Sequence, residues 1–145
     1  GRNLFVHAGL SARLLERNLE MDTLNARMSE GLYRTSKERR EDPTLEFLYR
    51  SAGPVWYRGM VCTDEKYDPL TPEQTDALLR RYDADRLLIG HTIFPDISTF
   101  HDGRVIAVNV QNERNRRKNR GRAVLIEGSR ISVVGNRGVK RALEE

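Results

Sequence analysis

Apolar positions along this chain fall into short runs and spaced stripes, never into long blocks. Leu4-Phe5-Val6 is a compact apolar run that stops at His7-Ala8-Gly9, the pattern of a buried strand closing on a glycine turn. Over residues 12–34 the spacing becomes helical, in two pieces. Asp22 is the expected N-cap of the second piece, and Leu24, Met28 and Leu32 follow at intervals of four on one face. Residues 35–43 are polar and end in Asp42-Pro43, which predicts a surface loop. A short helix is expected from Thr44 through Leu45, Leu48 and Tyr49. Gly53-Pro54 breaks it, and residues 55–61 follow as an extended segment.

The best local signal is Thr71-Pro72-Glu73-Gln74. Thr71 can cap, Pro72 suits the first helical position, and Gln74 completes a capping box. That helix should run to about Tyr82 and bury Ala77, Leu78 and Tyr82. Residues 86–89 then form a strand entering Gly90, and helix followed by strand is an α/β signature. A hairpin is expected from 97–100 and 104–110 around Asp102-Gly103, a tight-turn pair. Residues 111–121 should be a basic loop. Residues 122–126 and 130–134 should form a second hairpin around Glu127-Gly128-Ser129, and the tail from Asn136 should fray.

Composition narrows the class. A length of 145 residues suits one domain, and 38% hydrophobic with 32% charged residues suits a folded protein with a charged surface. No apolar run approaches the roughly 18–20 residues that span a bilayer. The chain opens on Gly1-Arg2-Asn3 with no initiator methionine, so Gly1 is expected to mark a boundary within a longer polypeptide. Cys62, the single cysteine, excludes an internal disulfide and suits a reducing compartment; localisation stays unknown, with the cytoplasm favoured. The net charge of +4 is mostly local, since Arg114, Arg116, Arg117, Lys118, Arg120 and Arg122 fall close together.

Two histidines stand just past predicted strand ends, each close to a glycine: His7, two residues before Gly9, and His91, directly after Gly90. In α/β folds ligands gather beyond the carboxyl ends of strands, and imidazole is a common ligand for divalent metals. A satisfied histidine at a strand end is the competing explanation for each. The motifs around them are more specific. Phe5-Val6-His7-Ala8-Gly9-Leu10-Ser11 is similar to the "VHGGL/VHAGL" motif of calcineurin-like metallophosphoesterases and phosphoprotein-phosphatase-like enzymes. Ile89-Gly90-His91-Thr92 resembles the "GHT" motif of bacterial members. Gly53-Pro54-Val55-Trp56-Tyr57-Arg58 looks like the "lWxR" segment of bacterial and Shewanella-like phosphatases, and 103–109 resembles the strand that reads "i.iDtG". Motif order and spacing agree from residue 3 to about 135.

The resemblance implies an α/β fold, the C-terminal half of the metallophosphoesterase β-sandwich flanked by helices, over 1–135 with a C-terminal tail at 136–145. It implies a phosphatase that hydrolyses phosphate monoesters with a two-metal-activated hydroxide, Mn, Fe or Zn being the expected ions. His7 and His91 would bind one shared metal, and Arg58 would bind the substrate phosphate and act in catalysis. Trp56 would be core or pocket wall. Gly59 stands where some relatives have an acidic residue, and Asn109 where many have Asp. The "GDxHG", "GDxxDRG" and "GNHE" motifs that complete the family's site do not occur; His101, in a turn expected to be exposed, lacks the asparagine of the last. This chain alone should therefore bind metal weakly or not at all and be inactive. Expected partners are a phosphorylated protein or small phosphoester, the missing N-terminal half of the same domain, and a second copy through an open sheet edge, with no membrane segment. The rival reading is a nucleic-acid-binding or non-catalytic interaction module using the basic 114–122 loop, which lacks interleaved aromatics.

Overall fold

The computed structural model describes residues 2–143; Gly1 and the last two positions of the expected tail lie outside them. Among the described residues seven strands form two sheets. The first takes β1 (Asn3–Val6), β2 (Arg86–Ile89), β4 (Val105–Ala107) and β3 (Ser98–Phe100) in that spatial order. β1, β2 and β4 run parallel and β3 is antiparallel to β4. The second sheet is an antiparallel meander of β5 (Arg122–Glu127), β6 (Arg130–Gly135) and β7 (Lys140–Ala142).

Strand alternation builds the layers. Leu87, Ile89, Val105 and Ala107 face one side of the first sheet and join Leu14, Leu48, Met60 and Leu78 from the helices and loops in the main core. Leu88 and Ile106, one register position away, face the other side and pack with Val133 of the second sheet. The arrangement is helices, then a mixed sheet, then an antiparallel sheet. Ion pairs from Arg122 (2.8 Å) and Arg141 (3.6 Å) to Asp96 also tie the second sheet to the segment before β3.

The helices are α1 (Arg13–Arg17), α2 (Met21–Leu32), α3 (Ser36–Glu41), α4 (Pro43–Tyr49), α5 (Pro72–Arg81) and α6 (Asn112–Arg117). α5 matches its prediction: the Thr71 hydroxyl accepts from Gln74 N–H at 3.2 Å and the Gln74 side chain accepts from Thr71 N–H at 2.9 Å. It buries Thr75, Leu78 and Leu79; of the expected set only Leu78 is buried, while Ala77 and Tyr82 are half-buried.

Five expectations are corrected. Asp22 lies inside α2, whose N-cap is Glu20, and Leu32 at the far end of its stripe stays 68% exposed. Residues 35–43 contain α3, held by a capping box between Thr35 and Glu38, because three-residue spacing of these two satisfies both free helix-end donors. Residues 55–61 are successive turns, since the Trp56 and Tyr57 N–H groups both donate back to Gly53 O. The basic 111–122 stretch is α6 followed by the start of β5. The tail is pinned as β7 against β6, with Leu143 packed in the inter-sheet cluster.

Candidate functional site

The parallel register of β1 and β2 pairs Val6 with Ile89, so both strands end at the same level. His7 and Gly90 are the next residues out, and Gly90 N–H donates to His7 O at 2.9 Å. His91 follows with φ at 59°, in the left-handed region that a non-glycine residue rarely occupies. Thr92 N–H closes a three-residue turn onto Gly90 O at 2.6 Å. Backbone strain of this kind concentrates at functional sites. The turn holds the His91 imidazole against that of His7, with His7 Nε2 and His91 Nδ1 3.1 Å apart and ring centroids 5.0 Å apart.

Arg58 arrives on the turn-rich segment after α4. That segment docks on the end of β1, where Pro54 O accepts from Ala8 N–H at 2.9 Å. Gly53 permits this path, because a Cβ there would stand 2.1 Å from Leu48 O. Arg58 Nη2 lies 3.0 Å from His91 Nε2, and its Nη1 donates to Thr92 Oγ1 at 3.3 Å. The three residues singled out in the sequence thus meet at one point. Thr92, the hydroxyl partner of Arg58, was visible in the sequence only as the last letter of Gly-His-Thr.

Donor and acceptor chemistry assigns the protons. A guanidinium only donates, so His91 Nε2 accepts and the neutral ring carries its proton on Nδ1. Nδ1 then donates to His7 Nε2, giving a directed chain from Arg58 through His91 to His7. Burial, followed by the positive charge of Arg58 and the proximity of His7, holds the His91 imidazole below its ordinary pKa. The neutral ring, with a lone pair to offer, is the favoured form.

Two ligand atoms about 2.0–2.1 Å from one ion and about 90–110° apart stand roughly 2.9–3.4 Å from each other. The 3.1 Å between His7 Nε2 and His91 Nδ1 fits that spacing. The pair therefore suits two positions on a shared cation. Among the described residues no group of three or more His, Cys, Asp and Glu side chains is placed to complete a shell.

The surroundings settle several smaller expectations. Trp56 is a wall and not core: its indole meets the His91 ring edge-on at 5.2 Å and remains 53% exposed. Tyr57 is buried, donates its hydroxyl to Asp68 O at 2.5 Å, and has its phenol pKa pushed up by that burial. Gly59 has a packing cause, since a Cβ would lie 2.2 Å from the Tyr57 hydroxyl and 2.4 Å from Asp68 O, so an acidic side chain cannot sit in this loop. His101 is half-buried and not an exposed turn residue. Its Nε2 lies 3.0 Å from Met60 O and its Nδ1 3.2 Å from Thr75 Oγ1, a structural role. In the basic stretch, Arg120 is tied to Asn115 and Pro95 and Arg122 to Asp96, which removes two of its six cations from service as a binding patch.

No family model matches the sequence, and no curated protein does. Solved structures do. A cold-active protein tyrosine phosphatase superposes with a TM-score of 0.86 at 26% identity, over 100% of this chain and 40% of its own. The cold-active protein-tyrosine phosphatase of a psychrophilic Shewanella gives a TM-score of 0.86 at 25% identity, over 99% of this chain and 41% of its own. The fold is therefore phosphatase-like, and the chain spans about two fifths of the length of these neighbours.

Proposed function

We infer that this chain, with its phosphatase-like fold, supplies one side of a phosphomonoester-hydrolysing site of the calcineurin-like, metal-dependent kind. His7 and His91 hold a divalent cation in this proposal, and Arg58 holds the substrate phosphate. The observation that carries it is the convergence of the two imidazoles at 3.1 Å with a guanidinium 3.0 Å beyond. When bound, a Mn, Fe or Zn centre supplies an activated water and neutralises phosphoryl charge. The chain's own contribution is orientation and charge. The strained His91 turn fixes one ligand nitrogen, and the strand register fixes the other. The planar fork of Arg58 matches two phosphoryl oxygens and stabilises charge that gathers there in the transition state.

Two imidazoles bind a divalent ion weakly, because a working site needs three or four ligands. The remaining ligands are proposed to come from further polypeptide that pairs with the outer edge of β1. That strand sits at the end of the sheet, and Phe5 on it is 67% exposed. Among the described residues no helix is long and apolar enough to cross a membrane.

The test has two arms, both with Mn²⁺ and an aryl phosphate. The isolated chain should turn over at background. The chain joined to a polypeptide that supplies the remaining ligands should turn over readily and lose that activity in His7→Ala, His91→Ala and Arg58→Ala. Strong turnover by the isolated chain, abolished by His7→Ala, would overturn the incomplete-site part. Activity of the joined chain that survives all three substitutions would overturn the assignment of the residues.

A further inference from the structure

Charge is unevenly placed along this chain. Residues 1–110 sum to −2 and residues 111–145 to +6. The fold gathers part of that excess on one surface. α6 is anchored by its buried Asn115, whose Oδ1 accepts from Arg120 Nη2 at 3.1 Å, while the same nitrogen donates to Pro95 O at 3.2 Å. At 100° per residue, Arg114 and Arg116 fall to either side of Asn115, and Lys118 falls on the side of Arg114. The turn Asn136–Gly138 after β6 is clamped to this end of α6. Asn136 Nδ2 donates to Asn119 Oδ1 at 2.6 Å, and Gly121 N–H donates to Asn136 Oδ1 at 2.6 Å. The clamp brings in Arg137 from a separate segment, with φ at 62° in the left-handed region.

These four side chains are exposed, and among the described residues none has an ion-pair or hydrogen-bond partner. They differ in this from Arg117, paired with Glu113 at 2.5 Å, and from Arg122 and Arg141, both held by Asp96. Like charges four apart on a helix repel, as Arg114 and Lys118 must. The dipole of α6 accounts for a cation or two at its C-terminal end, not for four from two segments.

The chemistry around the cations selects the partner. Residues 112–121 are Asn, Glu, Arg, Lys and Gly, with no apolar or aromatic side chain. Peptide sites anchor on buried aromatic and apolar side chains. A bilayer surface needs an apolar helix face, and Val139, one exposed side chain two residues past Arg137, falls far short of that. Unpaired bases stack on aromatic rings. A duplex asks for none of these. Its phosphates lie outside, one charge per about 1.7 Å of axis, and counterion release supplies binding from charge alone. Three of the four cations are Arg, whose planar fork fits phosphate oxygens.

We propose that the surface formed by Arg114, Arg116, Lys118 and Arg137 binds the phosphate backbone of a nucleic-acid duplex without reading its bases. It uses none of His7, His91 and Arg58, so it stands or falls independently of the phosphomonoesterase reading.

The test is fluorescence anisotropy of a short labelled DNA duplex at a series of salt concentrations. Four phosphate contacts predict that log affinity falls against log salt with a slope of about −3.6, a loss of roughly a hundredfold between about 50 and 200 mM. The triple variant Arg114→Ala, Arg116→Ala, Lys118→Ala should bring the slope to about −1. Lys37→Ala, Arg40→Ala, Arg80→Ala removes the same charge from exposed positions elsewhere and should leave the slope in place. Equal losses in the two triple variants overturn the site, because net charge alone then explains the binding. A slope shallower than about −2 on the unaltered chain also overturns it, and needs no variant to fold. Tighter binding of a single strand, of phosphatidylserine vesicles or of a polyglutamate peptide than of the duplex overturns the duplex assignment. A preference of more than about tenfold between duplexes of different sequence overturns contact through the backbone alone.

Discussion

Removing Arg58 should tighten the binding of a divalent cation to this chain, against the intuition that deleting a site residue weakens the site. Arg58 Nη2 holds His91 Nε2 at 3.0 Å, and this requires a free lone pair on that nitrogen. A cation removes it by either route. Coordination through Nδ1 sends the ring proton to Nε2, which then points a hydrogen at a guanidinium that cannot accept it. Coordination through Nε2 takes the lone pair itself. The cation must therefore break the Arg58–His91 bond, which costs about 1–1.5 kcal/mol at a site still reached by water. In Arg58→Ala that cost disappears, and so does repulsion from a fixed positive charge, which acts in the same direction. Affinity should rise by roughly five- to twelvefold. Calorimetric titration with Zn²⁺ at pH 7.5 measures it, with His7→Ala as the reference for a damaged site. Weaker or unchanged Zn²⁺ binding in Arg58→Ala, alongside a loss in His7→Ala, would refute the competition. If the proposed cation sits between the histidines, the freed guanidinium would be available to an anion, and each ligand should strengthen the binding of the other.

Three further outcomes follow from other parts of the molecule. Ile106 is fully buried between the two sheets, so Ile106→Ala should lower unfolding stability in urea by about 2–4 kcal/mol, and a loss under about 1 kcal/mol would contradict the stacking. Burial alone would raise the Asp96 carboxyl, but the hydrogen bond and charge of Arg122, with Ile97 N–H and Arg141, bring it below its ordinary 3.8. A depressed carboxylate adds stability that is present above pH 3.8 and is lost as the pH falls through the lower folded-state value, so Asp96→Asn should flatten that part of the acid-unfolding curve, and an unchanged curve would remove the linkage. His91 should titrate below 6.5 by NMR, because burial and then the Arg58 charge disfavour its imidazolium, and Arg58→Ala should move the midpoint upward; a midpoint that does not move would exclude the charge as a cause.

Local signals in the sequence proved readable where the physics was local. The Thr71–Gln74 capping box and the 86–89 strand needed only neighbours within a few residues. The Thr35–Glu38 box obeyed the same rule and was hidden by a charge-rich composition that also suits a loop. Residues 55–61 misled because the consecutive Val55, Trp56 and Tyr57, with Met60 and Val61 beyond, have the composition of a strand, while the turn they adopt is held by Gly53 O and by docking of Pro54 onto β1, contacts that composition does not encode. β7 was missed for a similar reason: Lys-Arg-Ala has little strand preference, and its pairing comes from β6.

Sequence alone determined that His7 and His91 each stand at the end of an apolar run close to a glycine, and the resemblance to known motifs attached Arg58 to them. It did not determine that they touch. They are separated along the chain by 84 and 33 positions, and no local preference reaches so far. The tertiary structure decided it through the parallel register of β1 on β2, the docked turn after α4 and the left-handed backbone of His91. Residues distant in sequence become a site only when packing brings separate backbone segments to one place, and that choice belongs to the whole core.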